Sequence, residues 1–232
     1  MKRIFLKFVA AILTALYLIY FLSFTTFAQN EVNEYYFKRN QDNKIALTFD
    51  DGPHPIYTPR ILDILDKYNI KATFFIIGIN AKNYQDTLKE IVKRGHEIGN
   101  HSFSHTILKD KSASKIIAEV EECRRTIYEI SGENTVIFRP PGGLMAKLNS
   151  EDAELLESYN IVFWSIDTLD WAHRNPEAIR DYVANDIKSG DIILMHDYIG
   201  FDSPTPEALE ILIPLLIDKG YNFVTVSELL AS

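Results

Sequence analysis

The chain has 232 residues, 47% of them hydrophobic and 24% charged, which is the balance of an ordinary folded domain and excludes disorder over most of the length. Its formal net charge is -8, from 24 Lys and Arg against 32 Asp and Glu, which argues against a broad basic face for nucleic acid. One cysteine, Cys123, excludes a disulfide scaffold and a Cys-based zinc or iron–sulfur site, so any metal must be held by carboxylates and the six His residues.

Residues 1–28 differ from everything after them. Lys2, Arg3 and Lys7 precede an uncharged run, Phe8 to Ala28, rich in Ala, Ile, Leu, Tyr and Phe. A positive start followed by an apolar run is the signature of an export signal. The run is about 20 residues, long for a cleaved signal and close to what a helix needs to cross a bilayer. Thr26-Phe27-Ala28 offers a cleavage site, so a cleaved signal and an uncleaved membrane anchor are both open. Either places the remaining chain outside the cytoplasm, with membrane contact through this segment alone. Residues 29–43, rich in Asn, Gln and Glu without clear periodicity, read as a linker to a single domain at 44–232.

From Lys44 onward, strand-like and helix-like segments alternate. Ile45–Phe49 is an apolar run, followed by helical spacing over Pro59–Tyr68, with Ile61, Leu62, Ile64 and Leu65 on one side. Ala72–Ile77 and then a helical Ala81–Arg94 come next, followed by a weak strand around Ile98 and a helical Ser112–Ser131. Val136–Phe138, helical Ser150–Tyr159, Ile161–Ile166, helical Pro176–Lys188, Ile192–Met195, helical Pro206–Lys219 and Phe223–Val226 complete the series. Asn175-Pro176 and Thr205-Pro206 look like an N-cap followed by Pro at the first helical position. Gly95, Gly132, Gly190 and Gly220 sit where C-terminal caps belong. About seven strand–helix units imply an α/β fold with a mostly parallel sheet, either a small barrel-like closure or an open doubly wound sheet. No second domain or internal repeat is visible.

The unusual polar residues sit just after the strands. Ile45–Phe49 runs into Asp50-Asp51-Gly52-Pro53, and the strand around Ile98 into Asn100-His101-Ser102-Phe103-Ser104-His105. Val136–Phe138 runs into Arg139-Pro140-Pro141-Gly142-Gly143, Ile161–Ile166 into Asp167-Thr168-Leu169-Asp170-Trp171, and Ile192–Met195 into His196-Asp197. Singly, each has an ordinary reading: a turn, two imidazoles on one face of a helical turn, a rigid loop, solvated carboxylates, a core histidine. Strand C-terminal ends form the active face of parallel α/β folds, and five such clusters at one rim argue for a site.

Two neighbouring His and a carboxylate suit a catalytic divalent metal, which keeps three protein ligands and an open position. His101 and His105 are natural ligands, and Asp50 and Asp51 offer two candidate carboxylates, one for the metal and one for a water. That division suggests metal-assisted hydrolysis, with the free carboxylate as base and His196 as the acid that protonates the leaving group. Asp170 would hold His196 protonated, Arg139 would pair with the base, and a backbone N–H near Gly142 would join in stabilising an oxyanion. Trp171 offers an apolar face for a sugar ring.

In this order, the clusters resemble the five motifs of the polysaccharide deacetylases, the NodB homology domain of carbohydrate esterase family 4. Thr48-Phe49-Asp50-Asp51-Gly52-Pro53 matches the first motif unaltered, and His101-Ser102-Phe103-Ser104-His105 the second. Arg139-Pro140-Pro141-Gly142, Asp167-Thr168-Leu169-Asp170-Trp171 and Leu194-Met195-His196 look like the remaining three, and the likeness runs from about Lys44 to Leu230. The resemblance implies a distorted (β/α)7 barrel and hydrolysis of N-acetyl groups on amino sugars. It implies Asp50 as base, Asp51, His101 and His105 as ligands of one divalent ion (zinc, cobalt or another), and His196 as acid. Arg139 would orient the base and Asp170 would tune His196. Pro141, Gly142, Trp171 and Leu194 would line the substrate site. Gly142 departs from the Tyr often found in the third motif, which puts the subsite's aromatic wall in doubt.

The expected enzyme is a monomeric, metal-dependent N-deacetylase acting on an extracytoplasmic glycan. Peptidoglycan N-acetylglucosamine comes first, with chitin oligomers or poly-N-acetylglucosamine as alternatives. An O-acetyl xylan esterase on the same site and a non-catalytic glycan-binding protein are the competing classes. Without the three basic residues of the leader, 21 basic residues face 32 acidic ones, so the domain is not expected to hold an anionic polymer by charge alone.

Overall fold

A computed structural model describes residues 33–146, 156–198, 200 and 202–232. The export segment 1–28 and most of the expected helix at 150–159 lie outside the described residues. In chain order the strands are β1 (Glu34–Tyr35), β2 (Lys44–Asp50), β3 (Thr73–Ile76), β4 (Glu97–Asn100), β5 (Ile137–Phe138), β6 (Asn160–Val162), β7 (Ile166–Asp167), β8 (Ile192–His196) and β9 (Asn222–Val224). The helices are α1 (Tyr57–Lys67), α2 (Gly78–Asn83), α3 (Gln85–Lys93), α4 (Ala113–Ser131), α5 (Pro176–Asp186), α6 (Thr205–Asp218) and α7 (Val226–Leu230). Short 3-10 turns lie at Pro141–Gly143 and Asp170–Ala172.

The strands form one sheet in the order β1-β6-β5-β4-β3-β2-β8-β7, with β9 on β2. All these pairings are parallel. The sheet curls into a half-barrel, the expected α/β architecture, with β1 and β7 at its two ends.

Strand parity sorts the side chains. On β2, Ile45, Leu47 and Phe49 pack in the large core that includes α1 and α6, while Ala46 packs in a separate cluster with Phe75, Ile137, Val162 and Ile192. Thr48 and Asp50 share the Ala46 face by the same alternation. On β8, Ile193 and Met195 join the helix-side core, and Ile192, Leu194 and His196 share the opposite face. The inner faces of the two central strands therefore carry apolar residues low down and chemistry at the C-terminal end.

The helix ends follow the expected chemistry in part. Ser112 Oγ accepts the Lys115 N–H, and Gly132 closes α4 at φ 79. Asn175 Oδ1 accepts the Ala178 N–H at 2.7 Å, with Pro176 as the first helical residue. Thr205 does not cap α6: it is the first residue inside the helix, and its hydroxyl bonds Asp170 instead. Cys123 is buried and unbridged, its Sγ donating to the Ile76 carbonyl.

Three readings change. The single helix expected over Ala81–Arg94 is two, α2 and α3, broken at Tyr84, where the backbone (φ -129, ψ 51) leaves the helical region. The apolar run Ile161–Ile166 is split into β6 and β7, because the chain leaves the β5 edge and re-enters the sheet beside β8. Residues 33–39, read as linker, pack on the domain. β1 pairs with β6, Tyr36 stacks on Phe163 (4.5 Å, 10°), and Arg39 bonds Asp191 at 2.6 Å. Backbone ladder bonds hold this segment, so its sequence needs no apolar alternation.

Candidate active site

Arg139, the largest fully buried side chain, follows β5 and points at the end of β2. Its Nη1 donates to Asp50 Oδ1 at 2.7 Å and to Thr48 Oγ1 at 2.8 Å, while Nε and Nη2 donate to the carbonyls of Val162 (3.1 Å) and Phe163 (2.9 Å). The guanidinium carbon lies 4.0 Å from the centre of the Phe75 ring. Asp50, 3% exposed, is thereby held through one oxygen, while Oδ2 faces His101 Nε2 at 3.7 Å.

Asp51 turns away from Asp50 because its backbone is left-handed, φ 75. Its Oδ1 faces His101 Nε2 at 3.4 Å and His105 Nε2 at 3.1 Å. The two His are not on a helical turn. They lie in a loop in which Ser102 (φ 64) and His105 (φ 57) are left-handed, and this loop brings the rings to 5.2 Å. Ser102 Oγ accepts the His105 N–H, and Asn100 Oδ1 accepts the Ser102 N–H. His101 Nδ1 lies 2.7 Å from the Arg139 carbonyl. A carbonyl can only accept, so the proton sits on Nδ1 and Nε2 is free as a ligand.

These three side chains fit a metal ion. Asp51 Oδ1 is buried without a hydrogen-bond partner, and one ligand atom from each residue lies within 4.8 Å of the others. A tetrahedral zinc site with bonds of about 2.0–2.2 Å has ligand atoms about 3.3–3.6 Å apart, close to the two distances from Asp51. Burial alone would raise the Asp51 carboxyl, but the two imidazoles override it and hold it well below the usual carboxylate range.

His196 lies opposite Asp50 in the β2–β8 register. Its Nδ1–H donates to Asp170 Oδ1 at 2.8 Å, and its backbone N–H to Asp170 Oδ2 at 2.7 Å. Asp170 is fully buried and also accepts from Thr205 Oγ1 (2.7 Å) and the Trp171 N–H (2.9 Å). Burial pulls the His196 pKa down, but the hydrogen bond and charge of Asp170 override it and push it up to about 9.

The structure thus brings Asp50, Asp51, His101, His105, Arg139, Asp170 and His196 to one place. The expected substrate-lining residues lie on the same rim. Leu194 is buried on β8, two residues before His196 and on its face. Trp171 is half-exposed, with Nε1 donating to Asp167 Oδ1 at 3.3 Å. Pro141 is buried at the turn after β5, and Gly142 is exposed there at φ 62, a conformation that suits glycine.

Supporting residues escaped the sequence reading. Thr48 relays Arg139 to the Ile193 carbonyl, which its hydroxyl reaches at 2.7 Å; a polar residue in an apolar strand was the available signal. Asp197, fully buried, donates its backbone N–H to the Asp50 carbonyl and accepts from Thr58 Oγ1 at 2.5 Å. Burial pushes its carboxyl up to about 7. Thr205 read only as a helix cap, because its partner Asp170 lies 35 residues away.

A family model described as polysaccharide deacetylase matches residues 37–161. A peptidoglycan-N-acetylglucosamine deacetylase of Bacillus cereus is 40% identical over 193 residues, covering 82% of this chain and 90% of that protein. The chain belongs to the polysaccharide deacetylase family. This deacetylase is also similar to a peptidoglycan-N-acetylmuramic acid deacetylase of Bacillus subtilis, 39% identical over 186 residues. The match covers 80% of this chain but only 38% of that longer protein. The solved structure of a family 4 acetyl xylan esterase from Clostridium thermocellum with a cobalt ion matches at a TM-score of 0.74 and 36% identity, covering 81% of this chain and 90% of that one. The deacetylase is therefore a hydrolase of a metal-dependent family, and Asp51, His101 and His105 form its possible metal site.

Proposed function

We propose that this deacetylase removes N-acetyl groups from N-acetylglucosamine units of peptidoglycan, outside the cytoplasm, with one divalent ion, zinc as first choice. The observation that carries the chemistry is the separation of two adjacent carboxylates: Asp50 is clamped by Arg139, and Asp51 faces two imidazoles. Asp51, His101 and His105 would hold the ion. When bound, it supplies Lewis-acid polarisation of the acetyl carbonyl and acidifies a water.

Asp50 takes the proton of the attacking water, oriented by the guanidinium of Arg139 at its other oxygen. His196 then protonates the leaving amine, and Asp170 keeps its imidazole charged and aimed. The N–H near Gly142 stabilises the developing oxyanion. Trp171 and Leu194 form the acetyl pocket, and Pro141 shapes the loop beside it. Residues 1–28 deliver the domain to the cell wall, as signal or anchor; the wall-acting relatives support that location.

The test is a panel of peptidoglycan, N-acetylglucosamine oligomers and acetylated xylan, with mass-spectrometric detection of acetyl loss. The expected result is acetate and a free glucosamine amine from peptidoglycan. Loss at N-acetylmuramic acid instead would move the substrate, and no acetate from any N-acetylated glycan would overturn the reading. The likeness to an acetyl xylan esterase favours a second reading, ester hydrolysis on the same site. An alkoxide leaving group needs less help from an acid, so replacing His196 would then cost less.

A further inference from the structure

Tyr198 lies two residues past His196 and is 40% exposed, yet its ring is held. It lies flat on the imidazole of His54, with centroids 4.5 Å apart and planes within 9°. His54 is fixed in turn. It stacks on Tyr57 at 5.3 Å, meets the edge of Tyr84 at 6.1 Å, and its Nδ1 accepts the N–H groups of Ile56 and Tyr57. Its own backbone N–H donates to Thr58 Oγ1 at 2.8 Å. An exposed ring locked in this way has little freedom left to lose, so a ligand packing on it incurs a small ordering cost.

The position of the stack says what it faces. β8 lies between β2 and β7 in the sheet. His54 lies in the loop after β2 and Trp171 in the turn after β7, the two strands that neighbour β8, while Tyr198 follows His196 itself at the end of β8. Neither His54 nor Tyr198 has a part in the chemistry proposed above. A pyranose presents C–H groups on its faces and packs on aromatic rings, and its hydroxyls stay at the edge in water.

We propose that the His54–Tyr198 stack is a second sugar subsite, which takes the pyranose adjoining the one that is deacetylated and so favours long glycans over short ones. This rests on the deacetylase reading above. The test compares the wild type, Tyr198→Ala and Tyr198→Phe on N-acetylglucosamine oligomers of two and of six sugars. The expected result is that Tyr198→Ala cuts the preference for the longer oligomer about tenfold, chiefly through KM, while Tyr198→Phe keeps it because the ring remains. An equal loss on both lengths, or no loss, overturns the subsite and leaves the deacetylase reading standing. Calorimetric binding of the six-sugar oligomer to Asp50→Asn, with and without Tyr198→Ala, separates the two claims. If no glycan releases acetate, the functional reading fails, and the subsite stands only if Tyr198→Ala weakens that binding about tenfold.

Discussion

Asp50 and Asp51 are neighbours in the chain and opposites in environment. Asp50 ends β2 facing Arg139, and the left-handed backbone at Asp51 swings the next carboxylate toward His101 and His105. Asp50→Asn is expected to lower kcat about 10²- to 10⁴-fold while the protein still binds a metal, because it removes the proposed base and spares the proposed ligands. Metal analysis beside acetate release checks this, and an active variant would overturn the assignment. The acid role proposed for His196 requires it to be protonated. Its raised pKa therefore carries activity through neutral pH and loses it as pH rises toward about 9, with a bound cation beside Asp51 pulling that limb lower. Asp170→Asn leaves burial as the dominant influence, so the alkaline limb of the kcat profile moves to lower pH. Gly52 packs against the Asp197 carboxylate, and a Cβ there would land on it. Gly52→Ala is expected to displace the Asp50–Asp51 turn and lower activity with metal binding, read by titrating the metal into the variant.

Arg139 ties three strands together: it follows β5, bonds Asp50 at the end of β2, and satisfies carbonyls at and after the end of β6. Arg139→Ala leaves a buried carboxylate and two buried carbonyls without partners. The expected loss is about 3–5 kcal/mol of stability, or roughly 10 °C in Tm for a domain of this size, measured by thermal unfolding. β2, β3, β5 and β8 were legible because each buries an apolar run, and α1, α4 and α5 because their apolar residues recur at helical spacing. The gap between β6 and β7 and the start of α6 were not legible. Val162 and Ile166 are both buried, so hydrophobicity runs through the gap between β6 and β7; only their different pairing partners separate them. Thr205 has the side chain of an N-cap, and whether it bonds its own helix or Asp170 depends on what lies across the site.

Across the whole molecule, the proposed metal site joins the loop after β2 to the loop after β4. Metal at about 100 times its Kd is expected to add about 2.7 kcal/mol of stability and raise Tm by about 5–10 °C. His101→Ala should abolish that shift, and a chelator should reverse it in the wild type, both read by thermal unfolding with and without zinc. The alternation of strand and helix is readable from the amino acids alone, and with it a parallel sheet whose C-terminal rim gathers the five polar clusters, because burial periodicity is local and parallel strands all end on the same side. The packing of residues 33–39 on the domain, the bracing of the site by Thr48, Asp197 and Thr205, and the meeting of His54 with Tyr198 emerge only once the chain is folded. Those are contacts between segments far apart in the chain, and their partners are chosen by the curl and register of the sheet, which local pattern does not encode.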